Sequence, residues 1–350
     1  MSSEQVSRPL QSIFASLRGA RWVPVLAGVL LLGLVFSVLS PAFLQFRNLQ
    51  NITVQAAVTG VMAAGMTFVI MTAGIDISVG AIVYLSLVLA VEVAREGPAP
   101  FAVYLAYPVG IGVGLALGLL NGLLTNFLRI NPLVTTLATY VMYRGLAIHI
   151  TKAKNIPAPR ATRFLGIGTI AGFPVPLLTV LVVVIVSAFL LHRTRFGRYV
   201  LAIGASERSA RQSGLPIRKV LIAVYTIGGV CAGLGGLVLI GRVGAVQSDV
   251  GIGIEFTVIT AVVLGGTNLA GGRGSIIGSL IGAILLVMID NGLHLIHASP
   301  YIYDIVRGSV LVGAVLIDRL SAAQRSGSWS PFRGIRLRTR RTIEATTAEQ

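Results

Sequence analysis

About ten apolar runs of membrane-spanning length fill most of this sequence, and they constrain its fold more than any other feature. A helix needs about 20 consecutive apolar residues to cross a bilayer. The chain is 55% hydrophobic and only 11% charged, whereas about a quarter of the residues in a soluble domain are charged. We therefore predict an all-α polytopic membrane protein with about ten transmembrane helices, some of them broken. The predicted spans are 22–44, 54–73, 79–95, 101–128, 133–151, 174–192, 220–241, 255–270, 275–297 and 302–318.

The distribution of basic residues predicts how these spans are oriented. Short loops rich in Lys and Arg lie on the cytoplasmic side of a membrane. If the N-terminus is inside, 19 of the 28 basic residues fall in inner segments and 7 in outer segments, so we predict an N-in, C-in topology. The external loop 152–173 fits least well, because it carries four basic residues. The predicted organisation is a cytoplasmic tail 1–21, a transmembrane domain 22–320 and a basic cytoplasmic tail 321–350. The first apolar run is too long for a cleaved signal peptide, so we expect it to be retained.

One polar interruption, residues 193–219, has a local organisation of its own. It carries seven basic residues and a single acid, Glu207. Ser206 is a favourable helix N-cap, and Gly214 is typical of a left-handed helix end. We predict a two-turn helix over Ser206–Ser213, which is too short to be stable alone and needs the membrane or a partner protein as a surface. The alternative is a solvated loop that is basic because of topology alone.

Two glycine-rich stretches predict broken helices. The first is Gly74–Gly80, and the second is Gly265–Gly274. Backbone that has left a helix cannot face lipid, so it must be buried in protein or line a watery cavity. Paired interruptions of this kind indicate a transport pathway. The alternative, which the sequence supports equally well, is a pair of ordinary turns at the membrane surface.

Several polar residues are candidates to line such a pathway, because intramembrane polar groups are functional candidates by default. Each could instead hydrogen-bond one helix to another. Arg144 and Asp290 raise the same question, whereas we expect Glu255 to be interfacial and Asp304 to pair with Arg307 three residues later. The candidates are Asp76, Ser78, Asn121, Asn131, Thr135, Asn268 and Asn291.

Two rows of glycine predict close helix packing and no chemistry. Glycines four residues apart form one smooth helix face, along which two backbones can approach. The rows are Gly110, Gly114, Gly118 and Gly122, and then Gly274, Gly278 and Gly282.

Catalytic and cofactor motifs are missing from the sequence, so we predict neither an enzyme nor a cofactor. It contains no His-Glu-x-x-His, no Gly-x-Ser-x-Gly and no Walker-type phosphate-binding loop. The single cysteine, Cys231, excludes an internal disulfide, and no metal site is predicted. The net charge of +16 comes from loops and tails in which aromatic residues are not interleaved, so nucleic acid is not a predicted partner.

The order and spacing of six motifs resemble the permease subunits of bacterial ABC importers for monosaccharides, of the ribose, xylose, arabinose and galactose type. The resemblance extends from about Asn48 to Leu320. Three residues depart from the usual pattern, namely Ser206, Gln212 and Asp290. The motifs are Ala64 to Gly80, Gly118 to Leu123, Asn131 to Leu137 with Arg144 and Gly145, Gly197 to Gly204 with Ala210, Arg211 and Gly214, Val262 to Thr267 with Gly271 to Gly274, and Asn291 to Leu293.

This resemblance implies a multi-pass protein of the bacterial inner membrane that works as a homodimer or as one of two paired permeases. It implies three further partners: a cytoplasmic ATP-binding subunit that hydrolyses ATP, a periplasmic solute-binding protein and membrane lipid. The loop 193–219 resembles the segment that docks on the ATP-binding subunit. The residues implied in that coupling are Gly204, Ser206, Glu207, Arg208, Ala210, Arg211 and Gly214.

Three other functions remain open at this point. The first is an ABC permease for a different solute, such as a nucleoside, a furanone signal or a branched-chain amino acid. The second is an ion-coupled or proton-coupled secondary transporter, for which Asp76 and Asp290 are the candidate relay carboxylates. The third, an intramembrane enzyme, is disfavoured by the missing motifs.

Overall fold

A computed structural model of the protein describes residues 23–96 and 101–325. The predicted tail 1–21 lies outside the described residues. So does most of the predicted tail 321–350, whose first five residues continue the last described helix.

Helices make up most of the described chain, and each of the ten predicted runs contains one of them. The longer helices are α1 (Val23–Leu39), α2 (Phe46–Met71), α3 (Val79–Glu96), α4 (Ala102–Phe127), α5 (Pro132–Thr151), α7 (Val175–Arg193), α8 (Arg195–Ala205), α10 (Ile217–Val243), α11 (Ile254–Leu264), α12 (Ile276–Leu295) and α13 (Pro300–Arg325). The short elements are a 3₁₀ turn (Arg160–Arg163), α6 (Phe164–Ile167), α9 (Glu207–Gln212) and the strands β1 (Ile156–Pro157), β2 (Thr169–Ile170), β3 (Phe173–Pro174) and β4 (Ala245–Val246).

Within the described residues, five helices are long and apolar enough to cross a membrane. They are α2, nearly all of α4, α7, α10 and α12, and the shorter apolar helices are α1 and α11. The prediction of a helical, multi-pass membrane protein is therefore confirmed. The predicted span 255–270 is helical only as far as Leu264. At 1.5 Å per residue, α11 covers about half of a hydrocarbon core of about 30 Å.

The interior is built around α2, α3 and α10, which carry most of the fully buried side chains. Helix α4 packs on α10 along the predicted glycine row. A β-carbon built at Gly118 would lie 2.9 Å from the α-carbon of Gly229, and Gly114 contacts Gly229 and Gly233 in the same way. In the second row, Gly278 and Gly282 contact Gly265 and Ala261. Both predictions of close packing are confirmed, because at these points only hydrogen separates two backbones.

A two-stranded pairing joins two distant connections at one end of the molecule. Strand β1, after α5, pairs antiparallel with β4, after α10, so that Ile156 lies opposite Val246. Strands β2 and β3 form a separate hairpin immediately before α7. The segments after α5 and α10 therefore lie on the same face of the protein.

Candidate functional site

The first predicted break is a real interruption, and its polar side chains Asp76 and Ser78 are buried. Helix α2 ends at Met71 and α3 begins at Val79, so that residues 72–78 are non-helical. We refer to this segment as the first break. Asp76 and Ser78 have no exposed surface. One carboxylate oxygen of Asp76 accepts hydrogen bonds from the amide nitrogen of Ser78 at 2.8 Å and from its hydroxyl at 2.6 Å. Because the first of these bonds satisfies the amide that immediately precedes α3, the side chain of Asp76 stabilises the start of that helix.

A chain of side-chain hydrogen bonds connects the first break to α4 and α5. The amide nitrogen of Asn121 donates to the hydroxyl of Ser78 at 2.7 Å. The hydroxyl of Tyr143 donates to the amide oxygen of Asn121 at 3.0 Å. The second carboxylate oxygen of Asp76 has no partner among the described residues, and Asp76 forms no ion pair with them. Since a buried carboxylate oxygen without a partner is costly, it marks a place where a ligand, a water or a proton can bind.

Another non-helical segment, which the sequence did not predict, lies close to the first break; we refer to it as the second break, and it is distinct from the predicted stretch Gly265–Gly274. It is the connection 244–253 between α10 and α11, and Gly244, Gly251 and Gly253 all have positive φ angles, of 78°, 90° and 77°. The carbonyl oxygen of Gly251 lies against Gly80, in the first turn of α3. A side chain at Gly80 would collide with that backbone, so only glycine allows the two breaks to meet.

The guanidinium of Arg144 fixes the second break from α5. It donates to the carbonyl oxygen of Ser248 at 2.7 Å and to that of Val250 at 3.1 Å. Its central carbon lies 5.3 Å from the centroid of the Tyr84 ring, within cation–π range. A cation among apolar helices is therefore satisfied by backbone carbonyls and an aromatic face.

Glu255, which we predicted to be interfacial, is enclosed by protein rather than exposed at its surface. It lies at the start of α11 but is 4% exposed, and one of its carboxylate oxygens has no partner among the described residues. A β-carbon built at Gly80 would lie 2.6 Å from that oxygen. The short length of α11 explains the difference, since the second break carries the start of this helix inward to Gly80.

The predicted two-turn helix is present as α9, with the expected caps. The hydroxyl of Ser206 accepts from the amide nitrogen of Ser209 at 3.2 Å. Glu207 pairs with Arg211 one turn later. Gly214 adopts a φ angle of 72° just beyond the helix. Arg208 is exposed, whereas Ala210 is buried against the protein. The helix therefore exposes charged side chains on its outer face and packs on the protein through Ala210.

Gly204, at the end of α8, lies between α9 and the two glycine-rich stretches that the sequence predicted as breaks, Gly74–Gly80 and Gly265–Gly274. The amide nitrogen of Gly272, in the loop 265–275, donates to the carbonyl oxygen of Met71 at 2.9 Å. Gly204 packs directly on both of these atoms. The end of α2, the loop 265–275 and the approach to α9 therefore share one backbone junction.

Comparison with known proteins identifies the family. Residues 48–315 match the family model described as branched-chain amino acid transport system / permease component. The chain belongs to this permease family.

The permease is similar to three curated sugar permeases along most of its length. The ribose import permease protein of Bacillus subtilis is 39% identical over 85% of this chain and 92% of its own. The D-allose transport system permease protein of Escherichia coli is 36% identical, with 82% and 88% covered. The L-arabinose transport system permease protein of E. coli is 33% identical, with 80% and 84% covered. No solved structure matches the permease. The family that the motifs predicted is confirmed.

Only three of the predicted pathway residues come together, namely Asp76, Ser78 and Asn121. Asn131 caps α5 by accepting from the amide nitrogen of Leu133 at 2.9 Å. Thr135 is buried one turn further along, and its hydroxyl has no partner among the described residues. The remaining two have structural partners. Asn268 bonds within its own loop, to the amide nitrogen of Ala270 at 2.7 Å, and Asn291 exchanges two amide hydrogen bonds of 2.9 Å with Asn48.

Asp290 also has a structural partner. Arg307 of α13 donates to its two carboxylate oxygens at 3.2 and 2.7 Å. The predicted pair with Asp304 is present but longer, at 3.7 Å. Asp290 therefore joins α12 to α13, and its charge is already matched.

Proposed function

We propose that this chain is the membrane permease of an ABC importer and that it carries a monosaccharide across the bacterial inner membrane. The observation that carries the proposal is its similarity, over at least 80% of its length, to permeases for ribose, D-allose and L-arabinose. The family description names branched-chain amino acids. The curated relatives that align along almost the whole chain name pentoses and a hexose, which favours a sugar.

We propose ten crossings with both termini in the cytoplasm. Two observations support this topology. Residues that it assigns to the inner face, Met71, Gly204 and Gly272, are in mutual contact. Residues that it assigns to the outer face, Ile156 and Val246, are paired in a sheet. The domain limits proposed with it are a tail 1–21, a permease domain 22–320 and a tail 321–350.

We propose that the sugar passes where the two breaks meet. A sugar presents hydroxyl groups, each of which both donates and accepts, so its path must offer polar atoms that are not already used. The unpartnered oxygens of Asp76, Thr135 and Glu255 meet that requirement. Asn121 and Ser78 would hold Asp76 in place. Asn131 remains a candidate at the mouth of the path, whereas the bonds of Asn268 and Asn291 support structural roles.

We propose that α9 docks on a separate cytoplasmic ATP-binding subunit, in which ATP is hydrolysed. The exposed charges of Glu207, Arg208 and Arg211 would provide the contact, with Ser206, Ala210 and Gly214 shaping the helix. Movement of α9 would reach the first break through Gly204, because Gly204 touches the carbonyl of Met71. The other partners proposed are a periplasmic solute-binding protein, a second permease copy and lipid. The exposed apolar faces of α5 and α7 fit the last two.

The test is transport by the reconstituted complex. The chain would be co-expressed with the ATP-binding protein encoded beside it and reconstituted in proteoliposomes with the neighbouring solute-binding protein. We expect ATP-dependent uptake of radiolabelled ribose that excess allose or arabinose reduces and excess leucine does not. Uptake of leucine but of none of the sugars would contradict the proposed substrate. Uptake that follows an ion gradient without ATP would contradict an ABC importer. It would favour the ion-coupled transporter, in which Asp76 is a candidate relay carboxylate.

A further inference from the structure

A cavity of about 530 Å³ opens beside α9, between that helix and the first break. Four parts of the chain form its walls: residues 72–74 of the first break, the corner between α4 and α5, one face of α9, and the first turns of α10. In the proposed topology this is the cytoplasmic end of the permease. The cavity is separate from the proposed sugar path at Gly80 and Gly251, because neither of these residues lines it.

The lining of this cavity is strongly basic. Arg129, Arg211 and Arg218 line it, and Glu207 is the one acidic side chain in its wall. The carboxylate of Glu207 is already paired with Arg211. Arg129 and Arg218 form no ion pair with any described residue. Both arginines are exposed, so they border the cavity without a counter-charge from the described part of the chain.

A buried hydroxyl supplies a second, independent sign of a ligand. Tyr225 lines the cavity and is 2% exposed, and its hydroxyl has no hydrogen-bond partner among the described residues. A β-carbon built at Gly74 would lie 2.9 Å from this oxygen, so glycine leaves the hydroxyl its space in the first break. Buried hydroxyls are normally satisfied, and one that lines a polar cavity points to a bound molecule.

We propose that this cavity binds a phosphate group, carried either by a small phosphorylated metabolite or by the headgroup of an anionic lipid. Guanidinium groups recognise phosphate oxygens with paired, charge-assisted hydrogen bonds. The phenol of Tyr225 and the amide of Asn131, which also lines the cavity, add neutral donors. A neutral sugar needs no cations, so two unmatched arginines favour an anion over the transported solute.

Binding here would regulate the permease from the inside. A phosphate held between Arg218, Arg129 and Tyr225 would connect α10 to the corner after α4 and to the first break. It would favour whichever state brings these groups together, because a ligand shifts an equilibrium only through its differential affinity. If the source is soluble, the ligand belongs to the class of products made when a kinase phosphorylates an imported solute.

Direct binding to the full-length chain in nanodiscs tests the soluble source. In discs of phosphatidylcholine alone, we expect saturable binding of radiolabelled inorganic phosphate and of ribose 5-phosphate. Arg129→Gln and Arg218→Gln should each weaken it about tenfold, and Tyr225→Phe a few-fold, given the strength of charged and neutral hydrogen bonds. Arg193→Gln is the matched control, because Arg193 is an exposed arginine that does not line the cavity. The Arg193→Gln variant should bind phosphate as tightly as the parent chain does.

A second arm tests the lipid source. Discs that also contain phosphatidylglycerol would be examined by native mass spectrometry for lipid that stays bound to the chain. Retention that Arg129→Gln and Arg218→Gln abolish, and Arg193→Gln preserves, would identify a lipid headgroup as the occupant. The proposal is overturned if neither phosphate nor lipid binds, or if Arg193→Gln weakens binding as much as the cavity variants do. Size-exclusion elution identical to that of the parent chain shows that each variant is folded. Because binding is measured on the chain itself, the result does not depend on which solute is transported.

Discussion

The second break contacts α3 at Gly80, two residues after the first break ends, yet the two breaks are held in opposite ways. In the first break, side chains bond to one another: Asp76 to Ser78, and Ser78 to Asn121. The start of the second break is paired with β1, and beyond it the carbonyls of Ser248 and Val250 are held by one guanidinium from another helix. Losing one bond of a network leaves the others in place, whereas losing the guanidinium removes both side-chain bonds to residues 248–250. We therefore expect the second break to be the more fragile of the two.

Gly80→Val should have the largest effect, because it separates both breaks at once. The new side chain would collide with the carbonyl of Gly251, and overpacking against backbone costs about 3 kcal/mol. We expect loss of sugar uptake and a clearly lower thermal unfolding midpoint in nanodiscs. Gly112→Val is the control, since a β-carbon there meets nothing within 4 Å. If both variants behave alike, the contact between the breaks is not important.

Arg144→Ala should come next and should affect the second break alone. It leaves two partly buried carbonyls without their donors, at about 1–2 kcal/mol in total because water can replace part of each bond. A Ser248→Cys reporter measures the release, because the chain's own thiol, Cys231, is buried. We expect maleimide to label the reporter about tenfold faster once Arg144 is lost, in line with that free energy. Arg144→Lys should give an intermediate rate, because a single ammonium group cannot reproduce the two hydrogen bonds that the planar guanidinium makes. Equal rates in all three backgrounds would contradict a clamp.

Asp76→Asn should be milder in stability and specific in transport. The amide oxygen can still accept from Ser78, so we expect less than about 1 kcal/mol of lost stability. The atom that replaces the unpartnered oxygen is a donor, so the KM for sugar uptake should rise about tenfold if a hydroxyl binds there. Ser78→Ala provides the comparison, because it removes network bonds but not the free oxygen. An unchanged KM in Asp76→Asn would remove Asp76 from the path.

Gly214→Val tests whether either break responds to the ATP-binding subunit. A φ angle of 72° is unfavourable for a β-branched residue by about 1–2 kcal/mol, so the end of α9 should shift. We expect uptake to fall several-fold while membrane insertion and ATP hydrolysis persist, and Glu207→Ala to act in the same direction. Uptake equal to that of the parent in both variants would sink the proposed coupling role of α9.

The smallest effect is expected at the amide pair between Asn48 and Asn291, which belongs to neither break. Polar pairs between membrane helices contribute about 0.6 kcal/mol on average. A double-mutant cycle with Asn48→Ala and Asn291→Ala should give a coupling energy of that size and an unchanged KM. A raised KM in Asn291→Ala alone would return this residue to the pathway.

The sequence was informative where a feature is local. The first break could be predicted because Asp76 and Ser78 lie between glycines inside an apolar run. The caps of α9 could be predicted because each is set by residues three or four positions away. Glycine rows predicted helix packing because their spacing matches the helical repeat.

The sequence was misleading where a feature depends on distant contacts. Residues 244–253 contain Gln247, Ser248 and Asp249 and resemble an ordinary surface loop, so nothing local indicated that Gly251 contacts α3. That contact depends on Gly80, more than 160 residues earlier. The partnership of Asn48 with Asn291 spans 243 positions in the chain. A single sequence indicates that a polar residue needs a partner, but it does not identify that partner.

The glycine contact between α4 and α10 has a consequence for how the permease can move. Where backbones touch without intervening side chains, there is no rotamer to change and no gap to compress, so the two helices are expected to travel as one rigid body. The alternation between outward-facing and inward-facing states must then take place around this pair, at joints formed by flexible side chains. Attaching probes to α4 and α10 should report a constant distance through the transport cycle, and a probe on α7 should supply the distance that changes.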